Sequence, residues 1–506
     1  MRAYRVFNFA AGVAFATLST NALAARNVLL VILDDIGAQE IRSFARDLAS
    51  AAKSSNGSSS IVDADGNGLP DGLEDDNGDG APDGAIATPS IDSLATAGVR
   101  FTQVTSNPVC SPTRAGIYTG RYGSHHGIGA PLGGASMIWT IPKDIPTLAE
   151  VLKTSGSKYK KGLFGKWHLG DSTGMLPTDR GWDYFAGLTG GQVTSYYSWD
   201  KVVVSGGVKT SSKVTEYVTS ETTNDAIDWI NDQTGSWWAT VAMNAAHTPY
   251  SEPPSYCLSG KVTGTSDTAL FHKTLECADF HLGALIANIE PTVLANTTIV
   301  FVGDNGTEGD VSQVYESDRS KTSVYQGGVH VPMIVADGAA LAGMSGTGTG
   351  AVTSVGRSVS HPLSTVDIFS TLAEIMGVSA TGTDAVSFVD ELNSTTAAAP
   401  RKYVYTDAFS YTAASVTSLK KSLSNPASLK TSDLTKLTRT NLKGAIRGNR
   451  YKLVYGASAY KLFDLTNDPF EQHDKWCGTT SERTQAQTLI TQLRLIDSTY
   501  PTKKCN

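Results

Sequence analysis

The sequence predicts an α/β fold: a large, mostly parallel sheet sandwiched by helices, with a smaller C-terminal antiparallel-sheet subdomain. Continuous apolar runs such as 27–33 (NVLLVIL) are typical of parallel strands that are covered on both faces. Such runs alternate with helical patterns as far as residue 385. Beyond that point, short strands separated by Gly, Asn and Asp turns indicate a small antiparallel sheet.

The elements follow in chain order. Each predicted strand of the large sheet is a mainly apolar run, and these runs are residues 27–33, 161–164, 238–243 and 298–302. Residues 88–98 predict a helix with Thr88 as cap, Pro89 in the first turn and Gly98 as terminator. Further helices are predicted at 147–156, 366–376 and, near the C-terminus, 482–495. The predicted strands of the smaller sheet are 402–406, 444–447, 451–455 and 462–464.

The chain divides into an export signal and two folded parts. Residues 1–24 combine Arg2 and Arg5 with an apolar stretch and an A-x-A cleavage site at 22–24, which predicts a cleaved signal peptide rather than a membrane anchor. The first folded part is 25–385, with an insertion at 38–87, and the second is 386–506. We therefore expect an exported protein, periplasmic or secreted, with no membrane partner after signal cleavage.

The composition excludes several classes of protein. The chain has 506 residues, 18% charged and 40% hydrophobic, with 41 basic against 48 acidic side chains and a net charge of -7. These values are ordinary for a globular protein and exclude disorder and collagen. Because the mild acidity offers no basic footprint, we expect no nucleic-acid partner.

An odd number of cysteines leaves one thiol unpaired. Of the five, Cys257 and Cys277 are close in sequence, as are Cys477 and Cys505, so two local disulfides are predicted. Cys110 remains. A leftover cysteine is often an inert buried thiol, so its role has to be judged from its neighbours.

The insertion contains an acidic loop, residues 63–74, with a calcium-binding pattern. The loop matches D-x-D-x-N-G-x5-E, in which oxygens at alternate positions converge on one hard cation. A solvated acidic loop is the alternative interpretation. Because the flanks lack the usual helix pair, the loop resembles extracellular calcium staples, and the expected additional Ca²⁺ is structural. Its expected ligands are Asp63, Asp65, Asn67, Leu69, Asp71 and Glu74.

Polar residues gather where the predicted strands end. Asp34 and Asp35 follow the first strand, and Asp304 and Asn305 follow 298–302 across a glycine. Ligand sites of open α/β sheets lie beyond the carboxyl ends of the strands, so these side chains are expected to meet. Three carboxylates and one amide oxygen suit Ca²⁺ or Mg²⁺ and suit zinc poorly. Other strand-end residues with catalytic chemistry are Lys166, His168 and His247.

Cys110 lies in a segment that favours anions and nucleophiles. Pro112 is predicted to begin a helix whose first amides point at the cysteine, and Arg114 adds a positively charged guanidinium group. Taken alone, this pattern predicts a thiolate of low pKa. A thiolate facing a hard cation is a poor match, however, because calcium and magnesium prefer oxygen. Conversion of the sulfur to oxygen would resolve this conflict.

The motifs resemble those of the type I sulfatases, which are formylglycine-dependent, arylsulfatase-like members of the alkaline phosphatase superfamily. Residues 110–114 (CSPTR) followed by 119–122 (TGRY) are similar to the family's C-x-P-x-R signature and its T-G-R extension. The resemblance covers nearly the whole mature chain in order. Its other motifs are 33–37 (LDDIG), 165–170 (GKWHLG), 246–249 (AHTP), 303–306 (GDNG), Lys321 ahead of 325–329 (YQGGV), and 462–469 (LFDLTNDP).

The resemblance implies a reaction and a set of roles. Cys110 is expected to be oxidised by a formylglycine-generating maturation enzyme to 3-oxoalanine (formylglycine), whose hydrate is both metal ligand and nucleophile. The expected metal ligands are Asp34, Asp35, Cys110, Asp304 and Asn305, holding Ca²⁺ or alternatively Mg²⁺. Asp304 and His168 are expected to accept the protons of the two hydroxyl groups of this hydrate. The other expected catalytic residues are Arg114, Lys166, His247 and Lys321.

The expected substrate is a sulfated small molecule or carbohydrate, an aryl or sugar sulfate that is hydrolysed to an alcohol and inorganic sulfate. One alternative is a phosphonate or phosphate ester hydrolase of the same superfamily. The other is a non-catalytic calcium-dependent binding protein that works through the acidic loop. The chain also departs from the family pattern at Gln326 and His330, where the family more often has Glu and Arg.

Overall fold

The computed structural model describes residues 26–52, 70–74, 85–133, 140–344 and 352–504. The predicted signal peptide, residues 1–24, lies outside these ranges. Within the described part of the chain, no helix is both long and apolar enough to cross a membrane.

Within the described ranges, eleven strands form one large sheet. They are β1 (Asn27–Leu33), β2 (Gly98–Thr105), β3 (Lys160–Lys166), β4 (Tyr184–Leu188), β5 (Trp199–Ser205), β6 (Val208–Val214), β7 (Trp237–Ala242), β8 (Thr297–Gly303), β9 (His330–Asp337), β10 (Arg357–Val359) and β11 (Leu363–Ser364). The order is β10-β2-β9-β8-β1-β7-β3-β4-β5-β6, and β11 also pairs with β2. Strands β8, β1, β7, β3 and β4 run parallel, whereas β9, β5 and β6 pair antiparallel with their neighbours. The predicted large, mostly parallel sheet is confirmed.

Helices pack on both faces of this sheet and around the smaller one. They are α1 (Arg42–Ala52), α2 (Pro89–Thr96), α3 (Cys110–Thr119), α4 (Gly123–His126), α5 (Leu148–Thr154), α6 (Val218–Asn231), α7 (Asp267–Ala287), α8 (Pro291–Ala295), α9 (Gln326–Val329), α10 (Gly338–Leu341), α11 (Asp367–Ile375), α12 (Val389–Asn393), α13 (Ala413–Ser422), α14 (Thr431–Leu434) and α15 (Thr480–Ile496). Short 3-10 turns occur at Ala38–Glu40, Asp71–Leu73, Pro177–Arg180, Ser255–Cys257, Ser317–Arg319 and Pro426–Ser428.

Strand β1 shows why its sequence is continuously apolar. Val28, Leu30 and Ile32 belong to one hydrophobic cluster, and the alternate residues, such as Leu29 and Val31, belong to another. Successive side chains of a strand point to opposite faces, so both faces of β1 are covered. Burial on both sides therefore demands apolar residues at every position.

The strand register brings the carboxyl ends of the central strands to one edge of the sheet. Leu33 at the end of β1 is paired with Gly303 of β8, and Ile32 is paired with Ala242 of β7. Ala242 is in turn paired with Gly165 of β3. Residues that directly follow β1, β3, β7 and β8 therefore lie close together.

The predicted smaller antiparallel sheet is also confirmed. Its strands, in spatial order, are β12 (Val404–Tyr411), β13 (Arg439–Arg447), β14 (Tyr451–Gly456) and β15 (Ala459–Asp464). Helix α15 covers it, because Leu489 and Leu493 share a buried cluster with Ile446 and Leu453. The division of the chain at residue 385 stays a prediction.

One helix end and two helix starts differ from the sequence prediction. Gly98 is not a helix terminator but the first residue of β2, where a Cβ would lie 2.3 Å from the carbonyl oxygen of Val335. Thr88 makes no side-chain cap; instead, Asp279 of α7 accepts hydrogen bonds from the first amides of α2. The signature helix α3 begins at Cys110 rather than at Pro112.

The insertion leaves and rejoins the sheet region at adjacent points. Ile41 and Ile86 form a parallel bridge, so the two ends of the segment lie side by side. The 3-10 turn Asp71–Leu73 is anchored, since the amide of Gly72 donates to the carbonyl of Gln313 and Leu73 is buried. Asp63, Asp65, Asn67 and Leu69 lie outside the described residues, so the calcium loop stays a prediction.

Candidate active site

Six segments place their polar side chains at one edge of the large sheet, and one of them is the loop after β7, which carries His247. The loop after β1 carries two aspartates, β8 is followed by Asp304 and Asn305, and β3 ends at Lys166. The first turn of α3 adds Cys110 and Arg114, and the segment before α9 adds Lys321. The members of this cluster are almost fully buried; they are Asp34, Asp35, Cys110, Arg114, Lys166, His168, His247, Asp304, Asn305 and Lys321.

Three buried carboxylates form the centre of the cluster. One ligand oxygen from each of Asp34, Asp35 and Asp304 lies within 4.8 Å of the other two. Asn305 donates from Nδ2 to Asp35 Oδ1 at 2.8 Å, and its Oδ1 is buried without a hydrogen-bond partner among the described residues. Asp34 Oδ1 likewise accepts no hydrogen bond from the described residues. These oxygens fit a hard divalent cation such as Ca²⁺ or Mg²⁺.

Two lysines surround the carboxylates. Lys166 Nζ lies 2.5 Å from Asp34 Oδ2. Lys321 Nζ lies 2.8 Å from Asp35 Oδ2 and 2.6 Å from Oε1 of Glu308. Burial opposes ionisation of Asp35, but Lys321, with help from His247 and Lys166, lowers its pKa to about 2. Asp35 is therefore a carboxylate at neutral pH.

Arg114 is fully buried and holds Asp304. Its Nε and Nη2 lie 2.9 Å and 2.8 Å from Asp304 Oδ2, and its Nη1 donates to the carbonyl of Lys166 at 2.8 Å. Burial, together with the nearby charge of Asp34, raises the pKa of Asp304 to about 7 in spite of this pairing. The two aspartates thus differ: Asp35 is a firm anion, whereas Asp304 is close to exchanging a proton.

Cys110 faces a histidine whose tautomer follows from its contacts. His168 Nε2 lies 3.0 Å from the carbonyl of Leu132, which can only accept, so the proton is on Nε2. The lone pair of Nδ1 then faces Cys110 Sγ at 3.2 Å. Burial, reinforced by Lys166, holds the pKa of His168 well below its usual value, so the ring is neutral. His168 is therefore arranged to accept a proton from a group at position 110.

The unmodified thiol is not activated. Burial is the largest influence and raises the pKa of Cys110, with Asp34 and Asp304 adding to the rise. The low-pKa thiolate predicted from the sequence is therefore wrong, because the helix amides and Arg114 do not outweigh burial beside carboxylates.

His247 completes the rim of the cluster. Its Nδ1 donates to the carbonyl of Thr248 at 2.9 Å, and its Nε2 lies 3.8 Å from Asp35 Oδ2. Burial lowers the pKa of His247. The hydroxyl of Tyr196 donates to the carbonyl of His247 at 2.8 Å, so this buried tyrosine holds the loop in place.

Two members of the cluster have left-handed backbone conformations. Asp35 has φ of 63° and His168 has φ of 55°, values that non-glycine residues adopt rarely. Such strain persists where the surroundings determine the conformation, and it is concentrated at functional sites. Both side chains point into the cluster as a result.

The structure adds one acidic residue that the sequence did not indicate. Glu308 is partly exposed and accepts a second hydrogen bond from Lys321 Nζ, in addition to that accepted by Asp35. It lies two residues after the G-D-N-G motif, but an acidic residue in a loop carries no signal of its distant partner. Elsewhere, Cys257 and Cys277 form a disulfide, and Cys110 is a free, buried thiol. Cys505 lies outside the described residues, so the Cys477–Cys505 bond stays a prediction.

Comparisons with known proteins agree with these motifs. The sequence model of the sulfatase family matches residues 26–378. Arylsulfatase J of Mus musculus is 27% identical over 279 residues, which make up 49% of this chain and 45% of that protein. The match therefore spans less than half the length of this curated relative.

Two solved structures share the fold. Ps i-CgsB in complex with k-i-k-neocarrahexaose has a TM-score of 0.68 at 21% identity, covering 96% of this chain and 95% of that one. The phosphonate monoester hydrolase of Agrobacterium radiobacter has a TM-score of 0.59 at 18% identity, covering 94% and 96%. At these identities, the likeness is one of fold.

Proposed function

This chain belongs to the sulfatase family, and from that membership we propose that it hydrolyses sulfate esters to an alcohol and inorganic sulfate. The observation that carries the proposal is the pairing of Cys110 with the Nδ1 lone pair of neutral His168 beside three buried carboxylates and two lysines. An anionic ester needs cationic contacts on its oxygens, a nucleophile at the sulfur atom and a base for the proton of the nucleophile. The cluster contains residue types suited to each task.

We propose that Cys110 is converted to formylglycine by a maturation enzyme. The unmodified thiol is a poor candidate nucleophile, because burial raises its pKa. The hydrated aldehyde supplies an oxygen nucleophile and an oxygen ligand in place of sulfur. The requirement of a hard cation for oxygen ligands supports this exchange.

The proposed metal ligands are Asp34, Asp35, Asp304 and Asn305, together with the modified Cys110. Asp34 Oδ1 and Asn305 Oδ1, which are buried and accept no hydrogen bond from the described residues, support this assignment. The expected ion is Ca²⁺, with Mg²⁺ as the alternative. When bound, such a cation offsets the negative charge of the sulfate oxygens and of the three carboxylates.

The remaining groups bind the substrate and move protons. Lys166 and Lys321 are proposed to contact the sulfate oxygens, and Arg114 to keep Asp304 in position. Asp304, whose pKa is raised to about 7 by burial and by Asp34, is proposed to accept the proton of the formylglycine hydroxyl that attacks sulfur. His168 then accepts the proton of the second hydroxyl at Nδ1. His247 and Lys321 are the two candidates for assisting the leaving oxygen. Burial lowers the pKa of His247, whereas the pKa of Lys321 is raised by Asp35 and Glu308, so Lys321 is the group that carries a positive charge.

The experiment that tests this proposal is turnover of an aryl sulfate by the purified protein. The wild type is expected to release sulfate, and Cys110→Ala is expected to lose this activity while keeping its fold. An active Cys110→Ala variant would contradict the role of Cys110. A non-catalytic calcium-dependent binding protein would instead release no sulfate even as the wild type, and its binding would be unaffected by Cys110→Ala. Aryl or carbohydrate sulfate is the proposed substrate class, and the k-i-k-neocarrahexaose bound by a protein of the same fold supports testing carbohydrate sulfates alongside.

A phosphonate or phosphate ester hydrolase is the second candidate function. The shared fold with a phosphonate monoester hydrolase supports testing it, because the same cation and nucleophile could act at phosphorus. Parallel assays with matched aryl sulfate and aryl phosphonate esters decide between the two. A higher kcat/KM for the phosphonate would reverse the assignment.

We also propose that the protein acts outside the cytoplasm. The signal-like sequence of residues 1–24 and the Cys257–Cys277 disulfide support export to the periplasm or the medium.

A further inference from the structure

A second polar cavity lies away from the cluster around Cys110. It has a volume of about 290 Å³ and lies between α1, the bulged part of β2, the start of β9 and the turn after β13. Its polar lining includes Gln103, Gln326, His330 and Arg447. None of the lining residues belongs to the cluster that we propose to be catalytic.

Arg447 lines this cavity without forming an ion pair. It is only 4% exposed, and its hydrogen bonds go to neutral oxygens: the side chain of Gln103 at 2.7 Å and the carbonyls of Gly448 and Asn449. No carboxylate of the described residues forms an ion pair with it. Burial lowers its pKa to about 10 although the charge of Glu471 opposes this fall, so the buried guanidinium is only partly compensated.

His330 supplies a second unsatisfied group. Its Nε2 donates to the carbonyl of Thr102 at 2.9 Å, so its Nδ1 carries a lone pair. This Nδ1 atom is buried and has no partner among the described residues, although the ring lines the cavity. Burial lowers the pKa of His330 to about 4, so the ring is neutral. It therefore needs a hydrogen-bond donor.

The acidic groups near the cavity are already engaged. Glu471 pairs with Lys452 at 2.8 Å, and the same lysine donates to the side chain of Gln326. Asp47, which lines the cavity, pairs with Arg100 at 3.0 Å. The positive charge of Arg447 is therefore the one left over in the lining.

We propose that this cavity binds a small oxyanion that also carries a hydroxyl group. The anionic oxygens would accept hydrogen bonds from the guanidinium of Arg447, and the hydroxyl would donate to Nδ1 of His330. Hydrogen phosphate and the carboxylates of small hydroxy acids and sugar acids have this chemistry. The volume is at the lower end of the range for small-molecule pockets, roughly 300–1,000 Å³.

The test is calorimetric titration of the full chain with inorganic phosphate at pH 7. Arg447→Gln is expected to weaken the binding of one phosphate by about tenfold or more, because a charge-assisted hydrogen bond is removed. Arg450→Gln is the matched control: it removes the same charge from the same turn, but Arg450 pairs with Asp464 and does not line the cavity. Phosphate bound near Cys110 is unaffected by either change. Equal binding by the wild type and a folded Arg447→Gln variant overturns the proposal.

A measurement on the unaltered protein guards against a variant that does not fold. Crystals of the wild type soaked in arsenate, which also carries a hydroxyl at pH 7, reveal the anion through anomalous scattering. A peak within hydrogen-bonding distance of Arg447 and His330 supports the proposal. A cavity that holds only water under these conditions overturns it.

Discussion

Replacing Arg114 by methionine tests how the buried charges of the cluster are balanced. Arg114 and Asp304 are both fully buried, and the guanidinium makes two contacts to Asp304 Oδ2 and one to the carbonyl of Lys166. Methionine keeps the length and apolar character of the stem but leaves the carboxylate next to Asp34 without its partner. Breaking a buried pair by removing one member costs about 3–5 kcal/mol. We expect the metal-free Arg114→Met variant to lose stability in that range.

The matched control is Lys213→Met. Lys213 and Asp200 form an ion pair at 3.6 Å whose side chains are 55% and 71% exposed, so its loss is expected to cost about 0–1 kcal/mol. Both free energies of unfolding come from urea denaturation followed by circular dichroism, extrapolated to water. A loss below about 1 kcal/mol for Arg114→Met, or equal losses for the two variants, would refute the buried-charge argument.

The same variant has a predicted pH dependence. Burial and Asp34 already raise the pKa of Asp304 from 3.8 to about 7, and without Arg114 it rises further. A group that binds its proton more tightly in the folded state loses stability as pH rises from the unfolded to the folded pKa. The difference between wild type and variant is therefore expected to be larger at pH 8 than at pH 6. A difference that shrinks as pH rises would contradict this reasoning.

Four further predictions follow from the structure. His168→Gln is expected to lower kcat for an aryl sulfate by about 10²–10⁴-fold with formylglycine still present, because the proton acceptor at Nδ1 is lost; steady-state kinetics with mass spectrometry of the peptide checks this. Chelation is expected to abolish turnover and added Ca²⁺ or Mg²⁺ to restore it, and full activity of a metal-free preparation would contradict the carboxylate site. Burial raises the pKa of Asp279 from 3.8 to about 6, so the free energy of unfolding is expected to fall by about 3 kcal/mol as the pH rises from 4 to 6. Denaturation curves of Asp279→Asn are expected to show a weaker dependence on pH over this range. The Cys257→Ala, Cys277→Ala double variant is expected to lose about 2–5 kcal/mol of its free energy of unfolding while keeping its kinetics. An unchanged unfolding midpoint would mean that the disulfide does not constrain the unfolded chain.

The central strands could be predicted because a strand that is buried on both faces requires apolar residues at successive positions. Strands β1, β7 and β8 have this property, whereas β3 (KKGLFGK) is buried over most of its length but has apolar side chains only at 163 and 164. Strand β6 (VKTSSKV) is exposed along most of its length and polar, so it carries no such signal. Strand β9 contains a proline, which argues against a strand, although the strand is fully buried. Whether segments such as these form strands depends on their pairing within the folded sheet rather than on their local sequence pattern.

The candidate site divides in the same way. Asp34, Asp304 and Lys166 could be predicted to meet because parallel strands end at a common edge. Their pairings could not, since Glu308 and the carbonyl of Leu132 come from loops whose course depends on the whole fold. The burial of Tyr196 and Trp199 could not be predicted either, because the sequence identifies a tyrosine or a tryptophan but not how deeply it is buried.

Conversion of Cys110 to formylglycine is tested most directly by mass spectrometry of the proteolytic peptide that contains this residue, taken from active protein. An aldehyde is expected at this position, detected as the mass of a CHO group in place of CH₂SH and as reactivity with a hydrazide. A fully active preparation in which the peptide carries only the unmodified thiol would contradict it.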